Sequence, residues 1–486
     1  MCNASFTQQT LPVTHKTAIV RPLLKKPTLD QSSLSSYRPI SNLSFVSKFL
    51  ERLVDRQLGD HFDAHELLPI TQSAYRAKHS TETALVKVHS NIVNAIDQGH
   101  VVALVMLDLT AAFDTVDHGI LSTVLHDRFG IDGDALSWFI NYLSDRSQQV
   151  CVGSSLSTPC DLPCGVPQGS VLGPRQFLVY SEDIVDIFHR RNVSHHGYAD
   201  DNQGYADSDP AHAHSIVAKL QMTVGDVGHW CSSRRLQLNP KKTEIIWFGT
   251  SANLAKIKPD DMQLHLDTDI IEPATLIRDL GMYLDNELSM RQHIARVTRS
   301  CFYQLRRIRS LSRQLGRDVT QQLVSSFVLS RLDYGNALLA ELPASTLAPL
   351  QRVQNAAARL ILNIKPSDHI TSAFIQLHWL PVKYRIVYKV CILVHKALND
   401  LAPSYLRDLL HPVSDLPGRS MLRSAMTTDL VIPATKLLFG ERAFSAAGPT
   451  HWNNLPETLR TIRDPNDFKK ALKTHLFRTA FNLVLY

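Results

Sequence analysis

Cysteine is scarce in this 486-residue chain: there are seven, scattered, and no two form a Cys-x-x-Cys pair. Thiols spaced this way do not make a disulfide framework and are expected to stay reduced, as in an intracellular protein. The nearest group, Cys151, Cys160 and Cys164, has no histidines at metal spacing, so no zinc site is expected there. His195-His196 and the His212/His214 pair lack cysteine partners and read as packed or solvated side chains. A long apolar run is also missing; the longest, Val101 to Leu107, is far too short to cross a bilayer. No basic-then-apolar leader opens the sequence, and these absences argue against secretion and a membrane role. There is no internal repeat or low-complexity tract. Charge is only weakly biased: 51 Lys and Arg against 45 Asp and Glu give +6, which suits a polyanionic partner without requiring one.

What remains is an ordinary globular composition, 44% apolar and 20% charged, in a chain long enough for several subdomains. Ala18-Ile19-Val20 reads as a strand among basic residues. Leu50, Val54 and Leu58 mark a helix over 47–58. Ser80 can cap a helix whose apolar face is Leu85, Val88, Ile92 and Ile96, with Gly99 ending it. Val101 to Leu107 is a buried strand leading to Asp108. Helices follow around 120–125 and 138–143, and then a Gly/Pro loop at 164–170 before an apolar helix. Residues 197–205 read as a hairpin with Asp200-Asp201 at its tip, followed by a helix through Trp230 and a strand over 241–248. This order predicts an α+β fold, a mixed sheet with helices on one face. From Met290 the chain turns helical and basic. Cys301, Leu305, Ile308 and Leu315 form a stripe, with Arg299, Arg306 and Arg313 about 200° away around the helix. Those arginines are either a solvated face or a surface that tracks phosphates.

The acidic residues carry the chemistry. Nucleotide addition needs a 3′-hydroxyl to attack phosphorus while pyrophosphate leaves, and two divalent cations about 4 Å apart serve both ends of that displacement. Magnesium takes hard oxygen ligands and usually only one or two carboxylates. A carboxylate at a strand end, facing another at a hairpin tip, meets that need. Side chains alternate along a strand, so Asp200 and Asp201 cannot point the same way. Asp200 is expected as the principal ligand beside Asp108, with Asp201 auxiliary. Taken alone, an Asp-Asp turn is ordinary turn chemistry.

Further segments in a fixed order change that reading. Lys25-Lys26-Pro27 with Tyr37-Arg38-Pro39-Ile40-Ser41-Asn42, and Gln72-Ser73-Ala74-Tyr75-Arg76 before His79 to Leu85, resemble the fingers blocks of LINE-type (non-LTR, Jockey-like) retrotransposon reverse transcriptases. Asp108 to His118 resembles motif A, Gly165 to Pro174 motif B, Tyr198-Ala199-Asp200-Asp201 motif C, Leu238 to Thr243 motif D and Leu280 to Asp285 motif E. Arg331 to Gly335 and Leu350 to Leu360 are similar to the family's thumb. Trp379-Leu380-Pro381 and Phe444 to Pro456 are similar to its C-terminal segment. The resemblance implies a right-hand polymerase: fingers over 1–100, palm over 101–288, helical thumb over 289–365, and a mainly helical 366–486 with no role assigned. It implies RNA-directed DNA synthesis with two Mg²⁺ ions, Mn²⁺ being able to substitute, on an RNA template, a DNA primer and dNTPs. The setting would be a cytoplasmic ribonucleoprotein or the nucleus.

It also implies roles. Phe113 would lie under the sugar as a steric gate against a 2′-hydroxyl, the alternative being core packing. Gln168 and Gly169 would touch the incoming nucleotide. Arg38 and Arg76 are candidates for triphosphate or template contact. Lys242, with Lys241 as rival, would be the general acid for pyrophosphate. Arg175-Gln176 replaces the family's apolar pair, and Gly204 replaces a large apolar residue beside an unusually polar Ser194-His195-His196 strand. A buried charge at 175 is costly without a partner. The family's upstream endonuclease is not in this sequence, so a nuclease supplied separately is expected. These departures frame the alternative, an inactive, truncated remnant that only binds nucleic acid.

Overall fold

The computed structural model describes residues 2–266, 269–365, 367–415 and 428–483. Positions 366, 416–427 and 484–486 of the expected C-terminal segment therefore lie outside the described residues. After a short helical segment (Cys2–Thr7) come strands β1 (Thr17–Leu24) and β2 (Tyr37–Asn42), then helices α1 (Phe45–Ala64) and α2 (Thr81–Asp97). Strand β3 (Val101–Leu107) precedes α3 (His118–Asp127), α4 (Gly133–Leu143) and strands β4 (Ser147–Val152), β5 (Ser155–Leu156) and β6 (Cys160–Asp161). Next come α5 (Gly173–Tyr180), β7 (Ser194–Tyr198), β8 (Asp201–Ser208), α6 (Ala213–Ser233) and β9 (Glu244–Phe248). Strands β10 (Pro273–Ala274), β11 (Leu276–Asp279) and β12 (Met282–Asp285) lead into α7 (Arg291–Val324). The remaining long helices are α8 (Ala344–Leu362), α9 (Val382–Leu398), α10 (Phe444–Asn453) and α11 (Pro465–Phe481).

Two sheets organise the first half. In the sheet that carries the acidic residues the order is β10-β9-β3-β8-β7, with β3 antiparallel to both β8 and β9 and β10 parallel to β9. The other joins β2-β1-β4-β5, with β6 also on β4, and its β1–β4 pairing is parallel. Sequence periodicity missed β4 to β6. They are short and largely exposed, so they lack the apolar alternation that marks a strand.

Helices on one face only were expected, and this is corrected: both faces of the first sheet are covered. Val102, Leu104, Ile246 and Phe248 pack with α2 and the helices beyond α7. Val101, Ala103, Val105, Ile245 and Trp247 pack with α3, α4 and α6. The physical reason lies in β3 itself, whose seven apolar residues do not alternate with polar ones; a strand apolar on both sides must bury both. At this sheet's edge Ser80 caps α2, accepting from the Thr83 N–H while Thr83 Oγ1 accepts from the Ser80 N–H. A reciprocal cap of this kind is worth about 1 kcal/mol.

Arg299, Arg306 and Arg313 are exposed on α7, while Cys301, Leu305 and Ile308 are buried. At Gly316 the backbone leaves helical geometry (φ 71°, ψ 176°), so the stripe ends at Leu315. A single apolar core runs from α2 and the sheet through α7, α8 and α9 to Phe468, Leu472 and Leu476 of α11. No helix among the described residues is long and apolar enough to cross a membrane.

Candidate active site

Motif A begins where β3 ends. Asp108 follows Leu107, and its carbonyl accepts from the Asn239 N–H (2.9 Å), while the Thr110 N–H donates to the Gln237 carbonyl (2.8 Å). These bonds fix the 237–243 segment beside motif A, and Lys242 Nζ reaches Asp108 Oδ2 at 2.9 Å. Lys241 lines the same cleft, and the ion pair to Asp108 is made by Lys242. The cleft, about 380 Å³, is also lined by Asp201, Glu244 and Arg278.

Asp200 and Asp201 sit in a tight turn. Tyr198 pairs with Asp201 across β7 and β8, leaving Ala199 and Asp200 as the loop. Ala199 takes a left-handed backbone (φ 59°), a conformation that costs a non-glycine residue roughly 1–2 kcal/mol. Gln72 compensates. Its Oε1 accepts from the N–H groups of Ala199 and Ala74, each at 3.0 Å. Gln72 is itself held because the 71–73 segment pairs with β7, Gly197 N–H donating to Thr71 O and Ser73 N–H to Gly197 O. Sequence reading quoted Gln72 within a family block but gave it no task. Its partner lies 127 residues away, and no local pattern reports that.

The acidic residues are electrostatically one group. Partial burial, then Asp108, raises the Asp200 carboxyl, while Lys242 and Arg38 oppose the rise. Burial together with Asp200 and Asp108 pushes Asp201 up to about 6. Three carboxylates that couple to one another, opposed by Lys242 and Arg38, make a donor set of hard oxygens short of positive charge. That composition fits divalent cations. No three His, Cys, Asp or Glu side chains among the described residues already converge on one point as a metal cage.

The structure brings Arg38 within electrostatic reach of this group but turns Arg76 elsewhere. The Arg76 guanidinium donates to the carbonyls of Pro69 (2.6 Å) and Gln72 (3.1 Å) and thus braces the loop carrying Gln72. Phe113 is half-buried and stacks on Phe177 of α5 with centroids 4.7 Å apart. Gln168 Nε2 lies 3.5 Å from both Asp114 carboxylate oxygens. Gly169 (φ 116°) has no room for a side chain, since a Cβ would lie 2.6 Å from the Ser41 carbonyl oxygen. The Ser41 N–H in turn donates to Gln168 O at 2.7 Å, joining β2 to motif B. A second residue missed from sequence is Glu51, fully buried on α1. It accepts from Ser47 Oγ (2.9 Å) and from the N–H groups of Val171 (2.5 Å) and Leu172 (3.3 Å), anchoring the start of α5. The available signal was an acid inside the apolar face of that helix.

The departures from the family pattern are largely absorbed. Arg175 meets Asp55 of α1 (Nε to Oδ1, 2.5 Å) and lies over the Phe62 ring, so the charge has its partner. At Gly204 a Cβ would come within 2.6 Å of Phe188, whose ring fills the space and stacks on His195 at 4.4 Å. His195 bonds Asn202 Oδ1 (3.0 Å). His196 bonds Ser73 Oγ (2.9 Å), which continues through the Tyr405 hydroxyl to Thr83. Burial holds both imidazoles well below their usual range and therefore neutral. Gln176 is different: its amide is buried, and neither polar atom has a hydrogen-bond partner.

Asp279 on β11 lies behind Asp201, buried, accepting from Gln203 Nε2 at 2.7 Å. Burial, with Asp201 adding to it, pushes its carboxyl up to about 7 from an ordinary 3.8. The unfolded chain releases this proton near the lower value and the folded chain only near the higher one. Rising pH therefore destabilises the fold across that window and not above it. Asp279→Asn is expected to remove this dependence. In metal-free urea unfolding, the variant should gain roughly 2–3 kcal/mol on wild type between about pH 5 and about pH 8. A difference independent of pH would reject the assignment.

Comparison with known proteins now decides the family. Residues 24–282 match the model of the family described as reverse transcriptase (RNA-dependent DNA polymerase), which is more than half of the chain. The chain belongs to the reverse transcriptase family. It is 30% identical over 319 residues to the probable RNA-directed DNA polymerase from transposon BS of Drosophila melanogaster, covering 64% of this chain and 34% of that protein. It is 27% identical over 275 residues to the RNA-directed DNA polymerase from mobile element jockey of the same species, covering 55% of this chain and 28% of the other. These relatives agree with the LINE-type resemblance seen in the motifs. The chain spans about a third of the length of the curated relatives it matches. Among solved structures, apo telomerase from Candida tropicalis aligns over 74% of this chain and 58% of its own, at 10% identity and a TM-score of 0.41. Divalent metal ions are general to reverse transcriptases.

Proposed function

We propose that this chain is the RNA-directed DNA polymerase of a non-LTR retrotransposon, extending a DNA 3′ end on an RNA template with dNTPs. The observation that carries this reading is the meeting of Asp108 from motif A with Asp200 and Asp201 from motif C, beside Lys242. Asp108 and Asp200 would be the principal holders of two Mg²⁺ ions, and Asp201 an auxiliary one. When bound, these ions lower the barrier by favouring the ionised 3′-hydroxyl and by neutralising charge on the leaving pyrophosphate. Phe113, backed by Phe177, stands as the gate under the sugar. Gln168, near Asp114, and Gly169, whose lack of a side chain lets β2 close against motif B, would form the nucleotide's seat. Arg38 faces the acidic group as a triphosphate contact, whereas Arg76 supports the loop beneath. Lys242, now on Asp108, is placed to give a proton to pyrophosphate. Arg299, Arg306 and Arg313 offer an exposed row for the duplex backbone. The division into fingers (1–100), palm (101–288), thumb (289–365) and C-terminal segment belongs to the same proposal.

One observation favours a second reading, an inactive chain that retains only nucleic-acid binding: the buried Gln176 amide without partners. One assay separates the two. Purified protein with Mg²⁺, an RNA template, a DNA primer and dNTPs is expected to extend the primer. Folded protein that binds the hybrid and incorporates nothing would establish the second reading.

A further inference from the structure

A second cleft, about 940 Å³, opens between the start of α2, the turn after α7, and helices α9 and α11. It shares no lining residue with the cleft of Asp108 and Asp201. Its walls carry Lys78, Arg385, Lys389, Lys396, Lys469 and Lys473 against only two acids, Glu82 and Asp333. Both acids are already engaged: Arg385 Nε donates to Asp333 Oδ1 at 2.8 Å, and Lys389 Nζ lies 2.8 Å from Glu82 Oε2. Lys78, Lys396, Lys469 and Lys473 have no acidic partner within ion-pair distance among the described residues.

Helical spacing explains how this surplus arises. Arg385, Lys389 and Lys396 stand at i, i+4 and i+11 on α9, and Lys469 and Lys473 at i and i+4 on α11. Each set shares one helix face, and packing of the two helices directs both faces into one concavity. The cations crowd each other there. Burial lowers the Lys396 ammonium, and Lys469 and Lys389 depress it further. A concave surface with four lysines lacking acidic partners, one before α2, one on α9 and two on α11, lacks a chain of negative charges. Tyr388 and His378 add ring surface to the same wall, the combination that single strands use.

We propose that this cleft is a nucleic-acid backbone site, separate from the catalytic cleft, where lysines of α9 and α11 hold successive phosphates of a strand. It gives the C-terminal helices a task, and it stands whether or not the chain polymerises. The phosphates could belong to an unpaired RNA or to an RNA–DNA hybrid, and the test has an arm for each.

Full-chain protein carrying Lys396→Gln, Lys469→Gln and Lys473→Gln is compared with wild type by fluorescence anisotropy. The probes are a 20-nucleotide single-stranded RNA and an RNA–DNA hybrid of equal length, without metal or nucleotides, across a salt series. Three lost contacts are expected to weaken binding about tenfold or more near physiological salt. They should also lower the slope of log K against log salt by about 2 on the single strand, at about 0.7 per phosphate. The arm showing the larger loss identifies the strand. Lys219→Gln/Lys256→Gln/Lys258→Gln, with the same charge change elsewhere, should bind as wild type. Unchanged affinity and slope in both arms would overturn the proposal, as would an equal loss in the control. Glutamine keeps helix propensity, and thermal melting checks that both variants are folded.

Discussion

Asp108→Asn is expected to lower primer extension by at least ~10³-fold, or about 4 kcal/mol of transition-state stabilisation, while leaving hybrid binding within about threefold. Asparagine preserves the shape of the side chain, so the segment that ends β3 and its bonds to Gln237 and Asn239 should stay in place. What changes is charge. The carboxylate would lose its pull on Lys242 and its share in holding cations with Asp200. Asp200→Ala should be as severe. Asp201→Asn is expected to be milder, because Asp201 is assigned the auxiliary share and its side chain alternates with that of Asp200 along the hairpin. Single-turnover incorporation rates at saturating dNTP would decide this. Comparable severity at Asp201 would show that the two motif C acids share the work equally, against the ranking given above.

Phe113→Val is expected to relax sugar selection by about 10²-fold, read as the ratio of kcat/KM for a dNTP to that for the matching NTP. With Phe113 as the proposed gate, removing its ring would restore roughly 2–3 kcal/mol of ribonucleotide binding in the transition state. Deoxynucleotide use should fall only a few-fold. The substitution also carries a stability cost of about 1–2 kcal/mol, since Phe113 stacks on Phe177 at 4.7 Å and shields part of that core. Selection unchanged within twofold, with the stability loss present, would reduce Phe113 to packing.

Both expectations rest on how well local sequence reports local structure. The 81–97 helix was legible because its cap, its apolar spacing and the terminating Gly99 (φ 95°) all lie within one stretch. The β7–β8 hairpin was legible for a similar reason: a two-residue turn places Asp200 by chain geometry alone. The helix-covered second face of the sheet was misread, although β3 carried the signal in its unbroken apolar run. Strands β4 to β6 carried none.

The amino-acid order by itself determined the family and the motif sequence, and it singled out the acids proposed as catalytic, because each depends on residue type and short spacing. Only the tertiary structure decided which side chains compensate one another. Gln72 holds the Ala199 turn across 127 residues, and Asp55 meets Arg175 across 120. Phe188 occupies the space that Gly204 leaves. The basic cleft belongs to the same class, since neither α9 nor α11 announces it alone. Such pairings arise where distant elements pack, and the energy of a buried charge, a void or a row of like charges is set by what lies opposite. No periodicity along the chain encodes that.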